Sequence, residues 1–160
     1  MISLDRGLRH MAWANQKVFS ALQTLPDEAL GSYIVNPEWT AGEITRHICN
    51  GASWYYFRLG LGDNNRFEPL DKVSTIKEYA SRLADIDNAL ITIAQQDDEE
   101  INTTLEGRPV RRWKSTIITQ AIHHATEHRA QLIDALEYKG YSIINLDDID
   151  LWNFDDSERV

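Results

Sequence analysis

The chain has a single cysteine, Cys49, so no disulfide can form within it, and such usage fits a reducing compartment. No apolar run approaches the roughly 18 residues needed to span a bilayer. The N-terminal MISLDRGLRHMAWANQ lacks the basic, apolar and small-residue order of a signal peptide. A cytoplasmic protein with no membrane partner is expected. Positive charge is scarce: 16 Lys and Arg stand against 25 Asp and Glu, giving a net charge of −9. A phosphate backbone would be repelled by acids spread along the whole chain, which excludes nucleic acid as a partner. Internal repeats and low-complexity linkers are also missing, and the one biased stretch is the acidic tail NLDDIDLWNFDDSERV. The 160 residues therefore read as a single domain, 1–160, with an ordinary globular share of apolar (42%) and charged (26%) side chains.

What is present is helical periodicity. Leu4, Leu8, Met11, Val18, Phe19 and Leu22 recur at helical spacing, predicting a first helix over about residues 4–23 that stops before Pro26. Asn15 is a polar intruder in that stripe, bonded either near a functional site or to backbone. Thr40-Ala-Gly-Glu43 reads as a capping box opening a second helix that runs to about residue 59, ahead of Gly60 and Gly62. Ile44, Ile48, Tyr55 and Leu59 make its buried side. A second box, Thr75-Ile-Lys-Glu78, opens a third helix carrying Ile76, Tyr79, Leu83, Ile86, Leu90 and Ile93. INTTLEGRPVRRW, residues 101–113, reads as a short two-stranded ribbon or an extended loop. Ser115 caps a fourth helix over residues 116–138, closed by Lys139-Gly140. Helices of about 20 residues with one apolar stripe each predict an all-α four-helix bundle whose long connections leave the helix order open. The tail, from about residue 141 to 160, is expected to dock through Leu151, Trp152 and Phe154.

Turning each helix by about 100° per residue sorts the histidines. His124 and His128 are four apart and fall on the flank of the stripe set by Ile118, Ile122, Ala125, Leu132 and Leu136. His123 projects to the far side and is read as solvated, as is His10 at a stripe edge. His47 lies in the stripe of Ile44, Ile48 and Tyr55, with Gly51 one turn later leaving room for a ring. Cys49 falls on the opposite face from His47 and reads as an incidental thiol. Three inward imidazoles, His47, His124 and His128, point to a metal site. The i, i+4 pair lets two Nε2 atoms converge on an ion about 2.0 to 2.1 Å away. Neutral ligands preserve the charge of a divalent ion and leave a coordination position open, as catalysis requires. Zinc is the default, and nickel, iron or manganese could occupy the same ligands. The alternative is three core-edge histidines satisfied by hydrogen bonds.

Glu43, one turn before His47, could act as a fourth ligand or general base, although its capping position accounts for it structurally. Arg129 projects to the centre of its stripe and requires a carboxylate or carbonyl partner. Trp54, two turns after His47 and near its side, could line a pocket, although an aromatic at that spacing is more often core, and core is the expectation. The acidic tail lacks the oxygen order and turn glycine of a calcium loop, and no paired Glu-x-x-His motifs occur for a di-iron centre.

MAWANQKVFSAL in the first helix, EWTAGEITRHICNGASWYYFRL across the second and HHATEHRAQLIDAL in the fourth resemble the DinB-like family of metal-binding four-helix bundles. The most specific element is a histidine, three residues, then His-Arg-Gly-Gln, here His124 followed by His128-Arg129-Ala130-Gln131 with alanine replacing the glycine. The resemblance implies a metal triad at His47, His124 and His128, the side chains the rotation selects, with Asn15 near the site in a family-like Trp-Ala-Asn context. It implies a thiol S-transferase in which a metal-activated low-molecular-weight thiol, such as bacillithiol or mycothiol, attacks an electrophile. A small-molecule thiol and an electrophilic substrate are then the expected partners. A hydrolase using metal-bound water, and a non-catalytic metal-binding or homodimeric interaction bundle, stay open beside it.

Overall fold

In the computed structural model, which describes residues 4–105 and 107–159, α1 (Asp5–Leu22) buries Leu8, Met11, Ala14, Val18, Phe19 and Leu22 along one face, as a 3.6-residue period dictates. Residues 1–3, 106 and 160 of the 1–160 reading, Glu106 of the expected ribbon among them, lie outside the described residues. α2 (Ala41–Arg58) starts from Thr40, whose hydroxyl accepts the Glu43 amide at 3.2 Å. The other half of that capping box does not form. Glu43 instead accepts two bonds from Arg46, at 2.9 and 2.7 Å, a charge-assisted pairing stronger than one to a backbone amide.

The box expected at Thr75 is absent. Thr75 ends a 3-10 turn, Val73–Thr75, and its helical backbone angles let the chain run straight into α3 (Ile76–Ile93) without a side-chain cap. Ser115 is likewise not a cap, because α4 (Lys114–Tyr138) already starts at Lys114. Asp98 does the capping from a distance in sequence, accepting from the Ser115 amide at 3.0 Å and hydroxyl at 2.7 Å, where its charge also suits a helix N-terminus. Between α3 and α4 the ribbon reading holds over the loop reading. β1 (Glu100–Leu105) and β2 (Arg108–Trp113) pair antiparallel from Glu100↔Trp113 to Leu105↔Arg108. Gly107 takes φ 77° in the turn, a conformation side-chain-bearing residues resist.

The four long helices pack α1 along α3 and α2 along α4, with α2–α3 and α1–α4 contacts completing the set. Cross-pairs fix their directions. Asp5 meets Gln95 and Gln16 meets Ala80, so α1 and α3 are antiparallel. His47 lies by His128 and Gly51 by His124, so α2 and α4 are antiparallel too. Gly7 faces Ile122 and Asn15 faces Arg129, making α1 and α4 parallel. The order that sequence left open is thus α1 and α4 one way, α2 and α3 the other. Parallel neighbours require the chain to travel back the length of a helix, which explains the long crossover after α2. It is not a loose loop: Phe67 and Leu70 are buried in it, and Asn50 Oδ1 accepts the Phe67 amide at 2.8 Å.

The tail docks differently from expectation. α5 (Leu151–Ser157) buries Phe154, but Leu151 stays exposed and Trp152 is 80% exposed, since fewer than two helical turns present only one apolar position inward. Ile149, just before it, is the second anchor. His10, expected in solvent, is buried under this tail and donates from Nε2 to the Ile149 carbonyl at 2.8 Å. Burial lowers its pKa. Arg6 and Arg9 pair with Asp155 and Glu158 around the same contact. The fold is mostly helical with a small sheet, and no described helix is long and apolar enough to cross a membrane.

The two threonines separate capping from mere position. Thr40→Ala should destabilise the protein by about 1 kcal/mol in urea titrations, whereas Thr75→Ala should change it by less than about 0.5 kcal/mol.

Candidate metal centre

The structure brings His47, His124 and His128 together and leaves His123 exposed. Ring centroids lie 4.9 Å apart for His47–His124, 4.5 Å for His47–His128 and 4.4 Å for His124–His128. One ligand atom from each falls within 4.8 Å of the others, and the Nε2 atoms of His47 and His124 are 3.1 Å apart. Two nitrogens held at about 2.0 to 2.1 Å on a tetrahedral ion would be about 3.4 Å apart. The His47–His124 pair is thus close to the separation an ion demands, the third ligand atom lies within 4.8 Å, and the donor set fits a borderline divalent metal.

Local sequence explains how the rings reach one another. α2 passes α4 so closely that a Cβ on Gly51 would stand 2.2 Å from His124 Cε1. The His128 ring is fixed from behind. Its Nδ1 lies 2.9 Å from Gln131 Oε1, and the same oxygen accepts the Trp39 indole N–H at 3.1 Å. An indole nitrogen only donates, so the shared atom is the amide oxygen and His128 Nδ1 carries the proton. Its Nε2 is then left with a free lone pair, the arrangement metal-binding imidazoles adopt. Gln131 was quoted in the sequence motif without a role; one helical turn from His128 was its signal. Burial lowers the pKa of His47, and burial with the neighbouring His128 and His47 takes His124 down to about 4. Both are neutral, and so able to ligate, at physiological pH.

Glu43 does not join the converging group, its carboxylate being held by Arg46. Cys49 is fully buried, and burial raises its thiol pKa well above normal, which leaves no nucleophile there. Asn15 is neither backbone-bonded nor in the imidazole cluster. Its side chain accepts from Arg129 Nη1 at 2.7 Å and donates to Asp87 Oδ2 at 2.9 Å. The carboxylate that Arg129 requires is thus reached through an amide, with Thr126 Oγ1 taking a second guanidinium bond at 3.1 Å. Asp87 escaped the sequence reading although it sits between Leu83 and Leu90 on the buried stripe of α3, where an acid is itself a signal. Burial raises Asp87 to about 7 and lowers Arg129 to about 10. Asp87 Oδ1 has no partner among the described residues, and a cavity of ≈ 10 Å³ between Asp87 and His124 matches about one water molecule.

Two larger cavities lie near the cluster, neither of them lined by its histidines. One of ≈ 300 Å³ lies on the Trp39 and Gln131 side, beside Ile34, Val35 and Asp134. The other, ≈ 240 Å³, begins at Tyr55, whose ring meets that of His124 edge-on at 5.7 Å. Trp54, expected in the core, is only half-buried and forms a wall of this second cavity, with the Arg58 guanidinium 4.5 Å over its ring.

Two substitutions probe this geometry. Gly51→Ala should stay folded, because alanine suits a helix better than glycine, yet in competition titrations it should bind zinc at least about 10-fold more weakly than the parent. The second concerns pH. An acid with a raised folded pKa stabilises most below its unfolded value and loses that contribution as pH climbs through about 7. Asp87→Asn removes the titration, so its melting temperature relative to the parent should rise by at least about 3 °C between pH 4 and 8.

Comparison with known proteins agrees with this architecture. A crystal structure of a DinB-like protein from Bacillus cereus ATCC 10987 superposes with a TM-score of 0.63 at 21% identity, covering 87% of this chain and 94% of that one. At such identity the likeness speaks for the fold. No curated protein matches the sequence. The sequence model of the DinB family, however, matches residues 1–155. Matched over nearly its whole length, the chain belongs to the DinB family.

Proposed function

We propose that the protein is a cytoplasmic, metal-dependent S-transferase built as a four-helix bundle, which joins a low-molecular-weight thiol to a small electrophile. The observation that carries this reading is the convergence of three imidazoles, one ligand atom of each within 4.8 Å of the others, with cavities of ≈ 240 and ≈ 300 Å³ nearby. His47, His124 and His128 would hold a divalent ion, zinc by default, with nickel, iron or manganese compatible with the same ligands. When bound, such an ion supplies positive charge that favours a thiolate over a thiol at neutral pH.

The protein's own groups do the rest. Imidazoles add no negative charge and so do not offset that of the ion. Gln131 holds His128 in the tautomer that presents Nε2 to the site. The ≈ 240 Å³ cavity reaches Tyr55, whose ring meets that of His124, and so offers a reactant a place near the cluster. Cys49 is sealed in the core, so the attacking sulfur has to arrive with a substrate. Hydrolysis at the same centre is the second reading, and one observation disfavours it. A general base would be wanted beside the attacking water, and the carboxylate one turn from His47, Glu43, is committed to Arg46.

Purified protein, reconstituted with zinc and then mixed with bacillithiol or mycothiol and monobromobimane, should consume thiol faster than the metal-free protein does. A His124→Ala, His128→Ala double variant should lose both metal and activity. Equal metal content in parent and double variant would remove the centre altogether. A metal-loaded parent that transfers no thiol would favour a non-catalytic, dimeric binding bundle.

A further inference from the structure

Arg58 and Arg112 line the ≈ 240 Å³ cavity, and no acid shares that lining. This is unusual company in a chain of net charge −9. Arg6, Arg9, Arg46, Arg111 and Arg159 all pair with carboxylates, but Arg58 and Arg112 pair with none among the described residues. Arg58 donates from Nη1 to Thr103 Oγ1 at 2.5 Å and lies over Trp54, while its Nε is buried with no acceptor among the described residues. The charge of Arg58 is thus left without an anionic partner among the described residues, which favours an anion entering the cavity it lines. Arg112 is exposed and makes one side-chain bond among the described residues, to the carbonyl of Arg111 at 2.9 Å, which leaves other guanidinium donors open to the solvent side. Thr103, Thr116 and Gln120 are uncharged polar members of the lining, and Trp54, Tyr55, Val110 and Ile117 form its apolar walls.

We propose that this cavity binds the carboxylate end of a small amphipathic molecule. The carboxylate sits on Arg58 and Arg112, and an aromatic or aliphatic body lies against Trp54, Val110 and Ile117. The far end of that body passes Tyr55 toward His124. The volume is below the roughly 300 Å³ at which pockets begin to enclose drug-sized ligands, which limits the body to about one ring. Taken as the pocket for the electrophile of the transfer reaction, the assignment rests on the metal-centre reading. The binding itself does not, because none of the lining residues is an imidazole of the triad.

The test compares 3-phenylpropionate with 3-phenylpropan-1-ol, which share a body and differ in charge. Each is titrated by calorimetry into full-length protein, metal-free and zinc-loaded, and located by amide chemical-shift changes. The acid should bind both forms at least about 10-fold more tightly than the alcohol, with shifts confined to the end of α2, the ribbon and the start of α4. Arg112→Gln, on an exposed strand and safe for folding, should bring the acid to within about 3-fold of the alcohol and leave the alcohol unchanged; Arg58→Gln should do the same. Equal affinity of acid and alcohol, full acid affinity in both variants, or shifts clustered elsewhere would each overturn the assignment. Acid binding without zinc binding would discard the transferase and keep the pocket; zinc binding without acid binding would do the reverse.

Discussion

The approach of α2 to α4 at Gly51 sets where three imidazoles can stand. A hydrogen in place of a side chain lets the His124 ring occupy the space where a Cβ would sit, which brings it to His47 from across the helix pair. Antiparallel running then places His128 opposite the start of α2, where Trp39 and Gln131 hold it. The two nearby cavities are separate from the cluster: one is walled by the end of α2, the ribbon and the start of α4, the other lies beside Trp39 and Gln131.

A second constraint keeps α4 from rotating about its own axis. Arg129 follows His128 directly and is buried against Asn15 of α1, which holds Asp87 of α3. Burying such charges is unfavourable in itself, yet removing any one member strands the others without a partner in a low-dielectric interior. Three helices are thereby locked in register around a polar thread one residue away from a candidate ligand. The histidine cluster is accordingly supported from two sides: amide chemistry at Gln131 orients one ring, and a buried network behind α4 fixes the backbone that carries two of them.

Much of this was legible in the sequence because helical periodicity is a local property. The stripes of α1 to α4 and the inward turn of His47, His124 and His128 all follow from counting residues at 3.6 per turn. What could not be read depends on partners far away in the chain. Ser115 looks like a cap until Asp98 takes both its amide and its hydroxyl. His10 looks solvated until the tail brings Ile149 over it. Trp54 has core spacing, but the ribbon stops short of sealing it and leaves a cavity. Asp87 stands on a legible stripe, and an acid among apolar positions is the same signal that Asn15 gives in α1; its partners, again, come from other helices.

The running order of the helices carries a consequence for how the molecule comes into being. α2 and α3 are parallel neighbours, and α1 pairs mainly with α3 while α2 pairs mainly with α4. Consecutive helices therefore cannot zip up as hairpins; each long pairing skips one element and closes a large loop, a topology that slows folding relative to purely local contacts. His47 and His124, separated by 77 positions, meet only through the last of these pairings. During synthesis the first imidazole waits, unaccompanied, until the C-terminal third of the chain has emerged and seated α4, so the candidate site is by construction assembled late in the birth of the protein.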